Sequence, residues 1–205
     1  MMKTTLTIVA LALATSVSAQ ETPLWMRYCA ISPDGSAVAF TYKGDIYTVP
    51  TTGGTARQLT TNAAYDTHPV WSPDSKQLAF CSNREGSMDV YVMQREGGTP
   101  RRLTTNSNSE TPIAFKDNNT VLYTSSIMPS AKSIIFANRM LPQVYEVGTD
   151  GSRPHLFSAL PMMDISIRPN GDLLYHDQKG YEDPWRKHHR SPITRDIWLR
   201  RGGKY

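Results

Sequence analysis

The densest set of chemically capable side chains lies near the C-terminal end of the sequence. Arg186, Lys187, Arg190, Arg195, Arg200, Arg201 and Lys204 stand there against one acid, Asp196. Such a cluster attracts carboxylates, and the arginine forks give them two parallel hydrogen bonds. Arg186, Lys187, Arg190 and Arg195 are therefore candidates for holding a peptide carboxylate. The competing assignment is an ordinary charged loop followed by an edge strand kept from pairing by its charge. His188-His189 in the same stretch suggests a metal. Neighbouring residues on a strand point to opposite faces, however, so one ion is poorly served by both, and no metal or other cofactor is expected.

Catalytic signatures are missing. There is no Gly-x-Ser-x-Gly elbow, no His-Glu-x-x-His, no paired Cys-x-x-Cys and no phosphate-cradling glycine loop. A Ser/His/Asp triad need not be local in sequence, but no signature supports one among the five histidines. No catalytic residue is assigned. Asn118-Asn119-Thr120 matches a glycosylation sequon, yet it falls where the repeat described below needs a hairpin turn.

Charge narrows the class. Lys and Arg number 22 against 18 Asp and Glu, too weak an excess to point to nucleic acid. Residues 1–19 read as a signal peptide: Lys3, an apolar run from Leu6 to Ala14, and small residues at Val17-Ser18-Ala19. The run is shorter than the roughly 20 residues that span a bilayer. An N-terminal anchor is the alternative. The two cysteines, Cys29 and Cys81, do not make a disulfide framework. Both sit in apolar strand-like runs and are expected as buried free thiols, a Cys29–Cys81 bridge being the alternative in an oxidising compartment.

The elements that position all these groups come from a repeat. The first unit runs Ala30-Ile31-Ser32-Pro33-Asp34-Gly35, Ala37-Val38-Ala39-Phe40, Asp45-Ile46-Tyr47-Thr48-Val49, Gly53-Gly54 and Leu59-Thr60-Thr61-Asn62. The second runs Val70-Trp71-Ser72-Pro73-Asp74, Gln77-Leu78-Ala79-Phe80, Asp89-Val90-Tyr91-Val92-Met93, Gly97-Gly98 and Leu103-Thr104-Thr105-Asn106. Equivalent residues such as Ser32 and Ser72 are 40 apart, and Leu59 and Leu103 are 44 apart. Four strands at this period indicate a β-propeller. Proline fixes φ and Asp-Gly tolerates a tight turn, so Pro33-Asp34-Gly35 joins the first two strands. The glycine pairs are expected to turn the third strand into the fourth.

Two degraded units follow. One carries Ile113-Ala114-Phe115-Lys116-Asp117, Val121-Leu122-Tyr123 and Val144-Tyr145-Glu146-Val147. The other carries Ile167-Arg168-Pro169-Asn170-Gly171, Leu173-Leu174-Tyr175 and Asp196-Ile197-Trp198-Leu199. The expected fold is all-β: residues 20–205 form a partial propeller with blades near 27–62, 68–106, 111–158 and 163–205. Three blades are full, the fourth lacks its outer strand, and the set belongs to a six- or seven-bladed ring. The step from the second strand to the third grows along the chain. It is 6 residues from Phe40 to Ile46, 10 from Phe80 to Val90, 21 from Tyr123 to Val144 and 22 from Tyr175 to Ile197. Equivalent loops of a repeat emerge on one face, where insertions build binding surfaces. The connections Ser125–Gln143 and Asp177–Arg195 are thus expected on the same face.

The blade pattern resembles the WD40-like repeat shared by TolB and the tricorn-type peptidases. Two stretches are more similar to exported tricorn-like proteins of the S41 serine peptidase group: Glu21-Thr22-Pro23-Leu24-Trp25-Met26-Arg27-Tyr28, and Trp185 to Ser191 followed by Thr194-Arg195-Asp196-Ile197-Trp198. The resemblance covers essentially the whole mature chain. It implies a non-catalytic N-terminal propeller that binds or gates peptides for a downstream protease domain, in the periplasm of a Gram-negative bacterium. The family's nucleophile and base lie beyond Tyr205, so none is carried over. Implied partners are peptides, the protease domain of the same polypeptide, and other copies of the parent protein. The alternative is a TolB-like module docking another envelope protein.

Overall fold

The computed structural model describes residues 25–127, 142–160, 162–168, 170–177 and 196–204. Among them are fifteen strands and no helix. The candidate cations Arg186, Lys187, Arg190 and Arg195, the His188-His189 pair, the signal segment and the bulk of both long connections fall outside the described residues.

The strands form four antiparallel sheets in chain order. Blade 1 is β1 (Arg27–Ile31), β2 (Ala37–Tyr42), β3 (Asp45–Pro50) and β4 (Arg57–Gln58). Blade 2 is β5 (Asp66–Trp71), β6 (Gln77–Glu85), β7 (Ser87–Gln94) and β8 (Gly97–Arg102). Blade 3 is β9 (Glu110–Asp117), β10 (Thr120–Ser125), β11 (Gln143–Gly148) and β12 (His155–Ser158). Blade 4 has three strands among the described residues: β13 (Met162–Ile167), β14 (Leu173–Asp177) and β15 (Ile197–Arg200).

Each blade is held from within by its first turn. Ser32 Oγ donates to Asp34 Oδ1 and accepts from the Ala37 amide, while the Ser36 amide donates to Asp34 Oδ1. Blade 2 repeats this with Ser72, Asp74, Gln77 and Lys76. These bonds hold the Asp34 carboxyl far below the usual carboxylate range. Asn118 and Asn119 make the corresponding turn of blade 3, as the repeat requires. The turns also tie blade to blade: the Asp34 amide donates to Ser75 Oγ, and the Asp74 amide to Asn118 Oδ1, each at 3.0 Å.

Burial comes from stacking one blade on the next. Ala37, Ala39 and Ile46 of blade 1 pack on Trp71, Leu78, Phe80, Tyr91 and Met93 of blade 2. The other face of blade 2, with Ala79, Val90, Val92 and Leu103, packs on Phe115, Val121, Tyr123, Tyr145 and Val147. Leu122 and Val144 then meet Met162, Ile165, Leu173 and Tyr175 of blade 4.

Two expectations are corrected. Cys29 is exposed, because it lies in β1, whose outer face no described residue covers; Cys81 is buried, and both thiols are free. The Gly97-Gly98 pair is not the turn. Gln94 pairs with Gly97, so Arg95-Glu96 makes the turn and the glycines open β8 at φ of 84° and 108°.

Candidate functional site

The first strand of each blade is the innermost one. β1, β5, β9 and β13 together line a cleft of about 420 Å³ along the propeller axis. Its wall is mostly apolar: Ile31, Val70, Trp71, Ile113, Phe115, Ile165 and Ile167 all face it. Four of these occupy one structural slot. Ile31, Trp71, Phe115 and Ile167 form rungs opposite Val38, Leu78, Val121 and Leu173; three of these rungs close their ladders, while in blade 3 Asp117 still pairs with Thr120 beyond Phe115. The Trp71 indole N–H is spent on the Ala30 carbonyl at 3.0 Å, which fixes the ring across blades 1 and 2.

The residue after that rung separates the blades. In blades 1 and 2 it is Ser32 or Ser72, buried and committed to the turn. In blades 3 and 4 it is Lys116 or Arg168, exposed and lining the cleft. Lys116 pairs with Glu146 at 2.7 Å, its Nζ 5.5 Å from the Phe157 ring. No acid among the described residues pairs with the Arg168 guanidinium. In the sequence both cations stand only as departures from the Ser-Pro-Asp pattern, in a slot the two units share.

The opposite end of the inner strands is strained. Tyr28, His68 and Asp164 hold φ of 54°, 54° and 47°, unusual for residues with a side chain. Each sits in a break of the β-ladder, between Arg27 and Ala30, Thr67 and Val70, and Met163 and Ser166. Blade 3 has Pro112 at the equivalent place. Proline locks φ negative, and the ladder shifts there without a positive φ. Bulges of this kind re-aim side chains and gather at functional surfaces. Here they bring the Tyr28 and His68 rings to 3.7 Å between centroids. Burial pushes the His68 imidazole down, toward its neutral form. Asp164 pairs with His176. Nothing in residue type announced these bulges.

The long connections leave from this strained end, since Ser125 pairs with Glu110 and Asp177 with Met162, the first residues of their inner strands. Chemically, the cleft can hold an extended apolar ligand and offers positive charge at the turn end. Among the described residues, no group of three or more His, Cys, Asp or Glu is placed to hold a metal ion. Cys81, its thiol pushed up to about 12 by burial, is not a nucleophile.

Comparison with known proteins follows the same lines. The model of a family described as the tricorn protease N-terminal β-propeller domain matches residues 23–204. A tricorn protease homolog from Streptomyces coelicolor is 28% identical over 186 residues, covering 90% of this chain and 16% of its own length. Among solved structures, a protein assigned as TolB from Agrobacterium tumefaciens superposes with a TM-score of 0.61 at 26% identity. That match covers 86% of this chain and 62% of the other. The crystal structure of the tricorn protease gives a TM-score of 0.55 at 14% identity, over 77% of this chain and 19% of that one, a likeness of fold. The chain thus spans a small part of its tricorn relative.

Proposed function

The chain belongs to the tricorn protease N-terminal β-propeller family, and from that premise we propose that it is a non-catalytic propeller segment that binds or gates peptides for a protease domain. One observation carries this reading: an apolar cleft on the propeller axis, framed by all four inner strands. In it an extended peptide lies along the edges of the inner strands, whose side chains alternate between the two faces of each blade. The segment 1–19 directs export, and the four blades are part of a six- or seven-bladed ring. The basic residues Arg186, Lys187, Arg190 and Arg195 remain candidates for meeting peptide carboxylates on the long connection.

Titrating the chain with a mixed library of short apolar peptides while following tryptophan fluorescence tests the reading. Saturable binding that weakens in Trp71→Ala, with no peptide cleaved, is expected. Cleavage abolished by replacing one serine of this chain contradicts it. A TolB-like docking module is the second reading, favoured by the TolB match. It requires a protein partner on the outer surface and leaves the cleft unused.

A further inference from the structure

Blade 2 builds a seat for a guanidinium. Arg84 Nη2 lies 3.0 and 3.1 Å from the two oxygens of buried Asp66, and Arg84 Nε donates to Ser82 Oγ at 2.9 Å. The same guanidinium lies 5.5 and 4.6 Å from the Phe80 and Tyr91 ring centroids. Blade 3 repeats every wall of that seat: Glu110 stands for Asp66, Ser125 for Ser82, Tyr123 for Phe80 and Tyr145 for Tyr91. Only the arginine differs, since its place in the chain falls to Ile127. We propose that the blade 3 seat binds an arginine side chain brought by a peptide, with Glu110 as the paired carboxylate. This rests on the peptide reading above and adds a side chain by which the peptide is selected.

Three observations carry it. First, the aromatic walls keep their geometry. The rings of Tyr123 and Tyr145 are 5.6 Å apart at 25°, those of Phe80 and Tyr91 5.9 Å apart at 25°, and such faces attract a cation. Second, the polar walls are unspent. Glu110 is almost wholly buried, yet its Oε2 has no partner among the described residues, and neither has the Tyr123 hydroxyl that Phe80 lacks. Ser125 Oγ donates to the Ser109 carbonyl, which leaves its lone pairs for an incoming donor. Third, the described surroundings supply no cation. Thr104 and the Asn106 backbone hydrogen-bond the Glu110 carboxyl, and Asp89, Arg102, Tyr123 and Tyr145 are the titratable groups around it. Arg102 is committed to Asp89 at 2.7 Å. A buried carboxylate left in this state is costly to ionise until a cation joins it. Blades 1 and 4 offer no such seat, because Met26 and Met162 hold the acid position.

The seat is within reach of the cleft. Glu110 opens β9, and Ile113 of the same strand lines the cleft, about 10 Å further along an extended strand. Ile127 is half-buried against the blade 2–3 core, so its side chain turns aside for the guanidinium, a cost offset by the new ion pair. Burial pushes the Glu110 carboxyl up to about 7. Arginine binding therefore releases a proton, and the affinity rises with pH.

The test uses the full chain and one acetylated, amidated apolar peptide with a central arginine, or with citrulline, its uncharged isostere. Affinity is read by isothermal titration at pH 6 and pH 8. At pH 8 the citrulline peptide is expected to bind about tenfold more weakly than the arginine peptide. Binding of the arginine peptide should tighten about tenfold from pH 6 to pH 8, and that of the citrulline peptide should not change. Glu110→Gln should lower the arginine peptide to the citrulline level, remove the pH dependence and leave citrulline binding intact, which also shows that the variant is folded. Ile127→Arg, which fills the seat from within as in blade 2, should likewise erase the preference for arginine. Equal binding of the two peptides to the wild type overturns the inference and leaves the peptide-binding reading standing. So does a preference for arginine that survives either substitution, that does not change with pH, or that Glu110→Gln removes only by weakening both peptides alike. If neither peptide binds, the peptide-binding reading fails, and the inference with it.

Discussion

In blade 2, Ala79, Val90 and Val92 point toward blade 3 and are 0%, 0% and 6% exposed. The same three ladder positions in blade 4 hold Leu174, Ile197 and Leu199, which are 47%, 77% and 42% exposed. Blade 1 shows the reverse side of this contrast: Ile31 is 68% exposed where its counterpart Trp71 is 7%. The side chains at these positions are equally apolar. Burial in a propeller is thus decided by the neighbouring blade, and one repeat pattern yields a closed core or an open apolar sheet according to its place in the series.

The contrast can be broken most forcefully at the ring that anchors blade 2. Phe80 is fully buried and stacked 5.9 Å from Tyr91. Phe80→Ala should cost about 3–5 kcal/mol in denaturant unfolding, whereas Leu199→Ala in blade 4 should cost less than about 1 kcal/mol. Equal costs would mean that blade 4 is packed as blade 2 is.

A medium effect separates blades 2 and 3. Asp66 is fully buried and held by both its oxygens to Arg84 at 3.0 and 3.1 Å. Glu110 takes the same place in blade 3, opposite Ser125 as Asp66 is opposite Ser82. Two residues beyond that serine, where blade 2 has Arg84, blade 3 has Ile127. Glu110 Oε2 has no partner, and burial pushes its carboxyl up to about 7. Its folded-state affinity for the proton exceeds that of the unfolded chain. Its contribution is therefore full at pH values below the ordinary glutamate range and is lost as pH rises through about 7. Glu110→Gln should remove this dependence, raising stability near pH 8 by on the order of 2 kcal/mol relative to the wild type. An unchanged pH profile would show that the acid is already ionised in the fold.

The smallest effect on stability is expected on the open sheet. Ile197→Lys should shift the unfolding free energy by less than about 0.5 kcal/mol. It should nevertheless reduce self-association of the isolated chain in sedimentation velocity, because the open apolar face is a surface for association. Association unaffected by the charge would place the contact elsewhere.

These contrasts also mark what residue order conveys. The repeat of Ser-Pro-Asp, alternating apolar strands and Leu-Thr-Thr-Asn dictates strand order and blade number, because turn chemistry and period-2 burial act locally. It even carries over to Ser75, which adopts φ of 60° in the slot of Gly35 because Ser72 and Asp74 close the turn around it. The bulges at Tyr28, His68 and Asp164 were not legible. Their positive φ accompanies a shift of the ladder at each site; tyrosine has no local preference for it, and the enrichment of histidine and aspartate there is too weak to mark a position. Lys116 and Arg168 share a slot that the repeat shows, but that both line one cleft depends on how the blades stack, which residue order does not convey. The cluster Arg186, Lys187, Arg190 and Arg195 lies outside the described residues, so its role stays with the peptide proposal.

The central claim is that the axial cleft, and not the open faces of the end blades, is where peptide binds. The most direct measurement is photo-crosslinking of an apolar peptide carrying a diazirine side chain, with the labelled residues mapped by mass spectrometry. The account predicts label on Trp71, Phe115 and Ile167, competed away by unlabelled peptide. Label concentrated on Leu174, Ile197 and Leu199, with the cleft unmarked, would contradict it.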